Sequence, residues 1–135
     1  MTDSVSQMRL RFDKAEVIDD GAPSCRVRVT VSYAARVIEA EAVMGDEPIS
    51  YLKAAAVATL DAVEATVDRR FTARLADLDH VNALGKDLVA VLVDVVFEGK
   101  NIQVFGSCPI AGPEMDAAVK AALNATNRFV ELSMR

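Results

Sequence analysis

Apolar and polar residues alternate in several short segments of the chain, and the first lies near its start. Met8, Leu10 and Phe12 alternate with Arg9 and Arg11. A period of two is typical of a strand with one buried face. We therefore predict a first β-strand over this segment.

A second alternating segment, around residues 26–33, predicts a strand that pairs with the segment after it. The short turn Ala34-Ala35 would join the two as an antiparallel hairpin. One register satisfies both the apolar and the charged pattern. It sets four pairs opposite each other: Val29 with Ala40, Val31 with Ile38, Arg28 with Glu41, and Thr30 with Glu39.

Helical periodicity follows the hairpin. Gly45-Asp46-Glu47-Pro48 ends the strand and is predicted to begin a helix with acidic residues in its first turn, running to about Arg69. Its apolar stripe is Leu52, Ala56, Leu60, Val63 and Val67.

The second half of the chain repeats this order. Phe71, Ala73 and Leu75 alternate as a first strand, a loop spans 82–86, and a strand apolar on both sides runs over 88–97. A turn within 98–101, pairing Phe97 with Ile102 and Val95 with Val104, leads to a third strand. We predict an irregular link over 106–113 and a last helix from about 113 to 132. Its stripe is Met115, Val119, Ala122, Thr126 and Val130.

A shift of 63 positions relates the halves, laying Leu10 and Phe12 on Ala73 and Leu75. The chain therefore predicts one domain over residues 1–135, with repeats over about 8–69 and 71–132. The expected fold class is α+β: two tandem β-β-β-α repeats related by a pseudo-two-fold axis, with antiparallel sheets carrying two helices on one face.

Net charge and composition argue against several classes of binding partner. The net charge of −5 argues against binding to nucleic acid or to anionic membranes. No apolar run is long enough to span a membrane, and the first seven residues do not resemble a signal peptide, so we expect a cytoplasmic protein. Cys25 and Cys108 are far apart, and no motif for a metal or cofactor occurs.

The strand over 88–97 suggests a partner. A strand that is apolar on both faces must be covered on both, and the helices cover only one. A second copy of the chain would cover the other, so we expect a homodimer. An internal cover is the alternative.

Two glycine-containing segments are candidate ligand sites. Gly45-Asp46-Glu47 and Gly106-Ser107-Cys108 each precede a predicted helix at equivalent points of the repeats. Backbone N–H groups at a helix start bind carboxylate or phosphate, although a plain helix-entry turn is the alternative. Asp94 interrupts an apolar run, where it would bind a ligand's ammonium group, form a paired structural charge, or lie exposed.

The element order resembles the carboxyl-terminal regulatory (dimerisation) domain of 2-isopropylmalate synthase and citramalate synthase. The similar segments are the link Gly45-Asp46-Glu47-Pro48-Ile49 and a closing helix with Ala121-Ala122-Leu123-Asn124. Glu47 stands where the family has a second glycine. The resemblance implies a homodimer whose links lie near a site for a feedback amino acid. The family's catalytic barrel is not in this chain, so the resemblance implies no condensation activity.

Three functions from different classes follow. The first is a non-catalytic, dimeric regulatory module that binds a small carboxylate or amino acid near the two links. The second is a structural dimerisation protein that assembles with an enzyme encoded elsewhere. The third is an enzyme of the acyl-thioester type, for which Asp94 would supply the carboxylate. His80, the single histidine, has no nucleophile at a motif spacing.

Overall fold

The computed structural model describes residues 9–19, 24–45 and 50–134 and has the predicted α+β order of two β-β-β-α repeats. Met8, Asp46, Glu47 and Pro48 lie outside the described residues. The elements are β1 (Arg11–Asp19), β2 (Ser24–Tyr33), β3 (Arg36–Gly45), α1 (Ser50–Thr66), β4 (Phe71–Ala83), β5 (Lys86–Phe97), β6 (Lys100–Pro109) and α2 (Glu114–Ser133).

The strands form two antiparallel three-stranded sheets, ordered β1-β2-β3 and β4-β5-β6. Side chains alternate between the two faces of each sheet. In β2, Val27, Val29 and Val31 are fully buried and face the helices. The opposite surface of each sheet is called its open face below.

The first hairpin has the predicted register. Val29 pairs with Ala40 and Arg28 with Glu41, and Tyr33 pairs with Arg36 across the turn Ala34-Ala35. The apolar and the charged pattern were sufficient to predict this register, because a slip of one residue would have moved the valines to solvent.

The second hairpin differs from its predicted register by two residues. Phe97 pairs with Lys100 and Val95 with Ile102, so the turn is Glu98-Gly99. Both turn residues have positive φ, 51° and 77°, as a two-residue hairpin turn requires. The predicted faces stay correct because the error is an even number of residues.

The helix stripes predicted for both repeats are confirmed as buried or half-buried residues. The helices pack against each other, and each also contacts the first strand of the other sheet. Alanine residues permit this close packing, because their small side chains allow the helix backbone to approach its neighbours. Neither helix among the described residues is long and apolar enough to cross a membrane.

The first helix ends earlier than predicted, at Thr66 rather than Arg69. Asp68 and Arg69 both have left-handed φ, 53° and 58°, and the Arg69 N–H donates to the Glu64 carbonyl oxygen at 2.8 Å. That closing hydrogen bond stops the helix and turns the chain into β4. The described part of this helix begins at Ser50 and has no acidic residue in its first turn; Asp46 and Glu47, the acidic residues predicted there, lie outside the described residues.

One shift does not relate the repeats throughout. The hairpins superimpose with an offset of 64 residues, which lays Val27, Val29 and Val31 on the buried Val91, Val93 and Val95. The helices keep the predicted offset of 63, which lays Ala54, Ala58 and Ala62 on Ala117, Ala121 and Ala125, all buried. In the first strands Phe12 corresponds to Ala73, not to Leu75, because Phe12 pairs with Val31 and Ala73 with Val95.

Candidate functional site

The predicted second link is part of a strand. Gly106 pairs with Val91 and Cys108 with Val89, so Gly106-Ser107-Cys108 continues the ladder of β6. The link to α2 is the shorter segment 110–113. The prediction that these three residues belong to an irregular link before the last helix is therefore wrong, and neither the anion site nor the plain helix-entry turn is formed by them. Gly106 suggested a loop, because glycine is common in loops. It lies instead within β6, where that strand packs against α2.

Gly106 allows α2 to approach β6 closely. A Cβ atom added there would lie 2.0 Å from the Ala121 carbonyl oxygen and 2.7 Å from the Ala125 backbone nitrogen. Both atoms belong to the helix backbone and cannot move independently of it. Gly106 is therefore needed for the close packing of α2 against β6. Its N–H lies within a strand and not at the start of a helix.

The other residues of the two links do not form one site. Gly45 ends β3 opposite Ser24, and a Cβ there would meet no atom within 4 Å. Asp46 and Glu47 lie outside the described residues. The Ser107 carbonyl accepts a hydrogen bond from Asn124 Nδ2 at 2.9 Å, and the half-buried Cys108 Sγ donates to the Pro109 carbonyl oxygen at 3.4 Å.

Asp94 is exposed on the open face of the second sheet, on its central strand. It lies between Arg74 and Gln103, and Gln103 Nε2 donates to its carboxylate at 2.7 Å. The predicted alternative of an exposed position at a sheet rim is correct in exposure, although Asp94 lies on the central strand and not at a rim. Asp94 is separated from Gly106 and Cys108, which face the helices on the other side of the sheet.

Acidic residues surround the start of α2. Its N-cap, Pro113, provides no side-chain cap, while Glu114 and Asp116 lie in the first turn. Glu114 Oε2 is 3.4 Å from His80 Nδ1. Burial, and then the charge of Glu114, raises the pKa of Tyr51 above 10.0. These carboxylates already complement the positive helix end, so a ligand anion would meet repulsion there.

His80 and Cys108 lie in one row across the second sheet. Both pair with Val89, one from each neighbouring strand, on the face turned to the helices. Two strand spacings separate their backbones by roughly 10 Å. No hydrogen bond joins the two side chains among the described residues, and Cys108 instead donates to Pro109.

The two open faces carry different chemistry. On the first sheet, Arg28 donates to Glu41 through Nε and Nη2, at 3.1 and 3.0 Å, and lies 4.0 Å from both Glu16 and Glu39. The pKa of Arg28 is raised chiefly by the hydrogen bond to Glu41. Arg28 and Glu41 therefore form the opposed charge pair that the predicted register places there.

On the second sheet the equivalent central pair is apolar. Leu92 lies opposite Phe105, whose side chain is 80% exposed. The neighbouring Ala90 and Leu92, with Asp77 and Asp79 beside them, form a shallow groove of about 140 Å³ against that ring. Phe105 is not among the predicted site residues, because the predicted register places β6 two residues away from its observed partners.

Comparison of the sequence with models of protein families and with curated proteins finds no match. Among the described residues, no group of three or more His, Cys, Asp or Glu side chains is placed to hold a metal ion.

Proposed function

We propose that this chain is a non-catalytic interaction module that forms a homodimer through the open face of its second sheet. The observation that carries the proposal is the ring of Phe105, 80% exposed above Leu92 on the central strand. An exposed apolar patch on a sheet marks a surface that another protein covers.

The difference between the two sheets supports this choice of surface. Repeats with the same fold differ at equivalent open-face positions: Arg28 and Glu41 in the first, Leu92 and Phe105 in the second. The charged pair suits a surface in water, whereas the apolar pair gains free energy when it is covered.

The charges around the patch support a second copy as the partner. Arg74 lies next to Asp94 on the same face, with Asp77 and Asp79 further along β4. A two-fold contact places each patch against its own copy, so a patch with both charge signs can pair basic with acidic groups across the axis. The resemblance to a family of dimerisation domains points to the same partner.

A regulatory role is the second candidate, and the resemblance in element order favours it. In that role the dimer binds a small carboxylate or amino acid beside the first link, Gly45-Asp46-Glu47. The position of Gly106-Ser107-Cys108 within β6 removes the second link from this hypothesis. Titration calorimetry with amino acids and 2-oxo acids tests it: heat from an amino acid that is lost in Glu47→Lys, where the lysine would repel the ligand's ammonium group, supports the site, and no heat with any compound rejects it.

Sedimentation equilibrium tests the dimer. The wild-type chain is expected to sediment at twice its mass of 14.5 kDa, and Phe105→Glu at that mass itself. Val37→Glu is the matched control, since Val37 is 66% exposed on the open face of the first sheet. It should remain dimeric.

Circular dichroism of both variants establishes that they are folded. A monomeric wild type at about 100 μM, well above the Kd of a typical stable dimer, would reject the proposal. So would equal effects of the two substitutions.

A further inference from the structure

An apolar groove lies at the end of the molecule where the β5–β6 hairpin meets the last turns of α2. Its volume is about 480 Å³. That is within the range of pockets that hold small organic ligands. The groove is lined by Phe97, Glu98, Lys100, Ile102, Arg128, Phe129 and Leu132.

Aromatic rings form the floor of this groove. Phe97 and Phe129 lie 5.5 Å apart between ring centroids, and both contact Phe71 behind them, at 6.4 and 5.8 Å. Three of the five phenylalanines in the chain are therefore in one cluster. Phe97 is half-buried and Leu132 is 38% exposed, so apolar surface remains open to a ligand.

Among the described residues of the first repeat, no such cluster of phenylalanine rings is found. The positions equivalent to Phe129 and Leu132, with the helix offset of 63 residues, are Thr66 and Arg69. Arg69 instead pairs with Glu64 at 3.1 Å. The groove is therefore a property of the second repeat and not a consequence of the shared fold.

The rim of the groove is basic in an acidic protein. Lys100 and Arg128 line it, with Glu98 as the one acidic lining residue among those described. Within the described part of the chain, neither cation forms an ion pair with a carboxylate. The two cations give the rim a net positive charge, while the chain as a whole carries −5.

We infer that this groove binds a small amphipathic monocarboxylate, with its apolar part on Phe97, Phe129 and Leu132 and its carboxylate at Arg128 and Lys100. Apolar contact supplies the affinity, and the cations select an anionic head group. The groove is on the helix-facing side of the hairpin, away from Phe105 on the open face. Ligand binding in this groove can therefore be tested independently of the homodimer.

Titration calorimetry of the full chain with octanoate, 1-octanol and octylamine tests the inference. Octanoate is expected to bind tightest, and octylamine not to bind. The double variant Lys100→Gln with Arg128→Gln should weaken octanoate binding about fivefold, which is about 1 kcal/mol for the two cations together, because exposed charge pairs contribute little. It should leave octanol binding unchanged. Lys86→Gln, an exposed cation at the opposite end of β5, is the matched control and should bind octanoate as the wild type does.

A second variant tests the apolar floor separately. Leu132→Gln removes an apolar contact from a partly exposed position and is expected to weaken octanoate and octanol alike. Amide chemical shifts from NMR should change most around residues 97–102 and 128–132 on adding octanoate. Equal affinity for octanoate and octanol, no binding of either, or binding to phosphatidylglycerol vesicles without binding of octanoate would each overturn the inference.

Discussion

Phe105 lies directly opposite Leu92 on the open face of the second sheet, where the first sheet pairs Glu41 with Arg28. The two pairs occupy equivalent positions on the second and third strands of their repeats. One repeat therefore carries an ion pair suited to water and the other an apolar pair suited to a protein contact. This difference at equivalent positions is the observation on which the proposed interface rests.

Exchanging these pairs is predicted to exchange the properties of the two faces. Leu92→Arg combined with Phe105→Glu should yield a folded monomer, because a cross-strand ion pair contributes about 0.2–1 kcal/mol and compensates part of the lost apolar contact. The reciprocal change, Arg28→Leu combined with Glu41→Phe, should create a second association surface and produce species larger than a dimer. Sedimentation velocity measures both, and a dimeric Leu92→Arg/Phe105→Glu variant would contradict the assignment of the interface.

Gly106→Ala is predicted to destabilise the fold by about 1–3 kcal/mol, as overpacking of a well-packed core does. The new Cβ would lie 2.0 Å from the Ala121 carbonyl oxygen, so α2 would have to move away from β6. Urea unfolding measures the loss. Gly45→Ala is the control, because a Cβ there meets no atom within 4 Å, and its change should be within about 0.5 kcal/mol. Equal midpoints for the two variants would show that the helix and strand are not in close contact.

Glu64 connects the two repeats through a buried carboxylate. Its Oε2 accepts the Ala73 N–H of β4 at 2.8 Å, and its Oε1 lies 3.1 Å from Arg69 Nη1. Glu64→Ala should cost about 1–3 kcal/mol, because the buried Ala73 N–H loses its acceptor. Glu64→Gln keeps an acceptor oxygen and should recover most of that loss. If the two variants unfold at the same urea concentration, the hydrogen bond to Ala73 does not contribute to stability.

Asp61 is predicted to make stability depend on pH. Burial, and then the charge of Glu64, raises its pKa above 3.8 in the folded state. The folded state therefore takes up this proton at a higher pH than the unfolded chain does. Its charge penalises folding at neutral pH, and the penalty disappears as the pH falls to the unfolded pKa.

Asp61→Asn should therefore raise the thermal midpoint slightly at pH 7 and leave it unchanged at about pH 3, where the aspartate is protonated in both states. Differential scanning calorimetry at the two pH values measures this. The same gain at both pH values would mean that the charge of Asp61 is not the cause.

Much of the fold follows from local pattern. The register of β2 and β3 was predictable because apolar alternation and opposed charges agreed on it. The last helix was predicted to within about one residue at each end, since its apolar stripe repeats with helical period. The second hairpin was harder, because Val95 finds an apolar partner in either register, Val104 or Ile102, and only the turn geometry at Glu98-Gly99 selects one.

The candidate site was less predictable for a physical reason. Glycine in a sequence signals a turn or a close approach with equal strength, and at Gly106 the close approach to α2 is the observed cause. The groove at Phe97 and Phe129 joins residues from a strand and a helix 32 positions apart, so no local spacing indicates it.

The order of strands and helices, the buried faces and the duplication follow from the amino-acid pattern, because each depends on the periodicity of neighbouring residues. The apolar pair on one open face, the close approach of α2 to Gly106, and the meeting of three phenylalanines with Lys100 and Arg128 are set by the packing of the elements. Those features depend on distances between elements, which side-chain periodicity within one element does not encode.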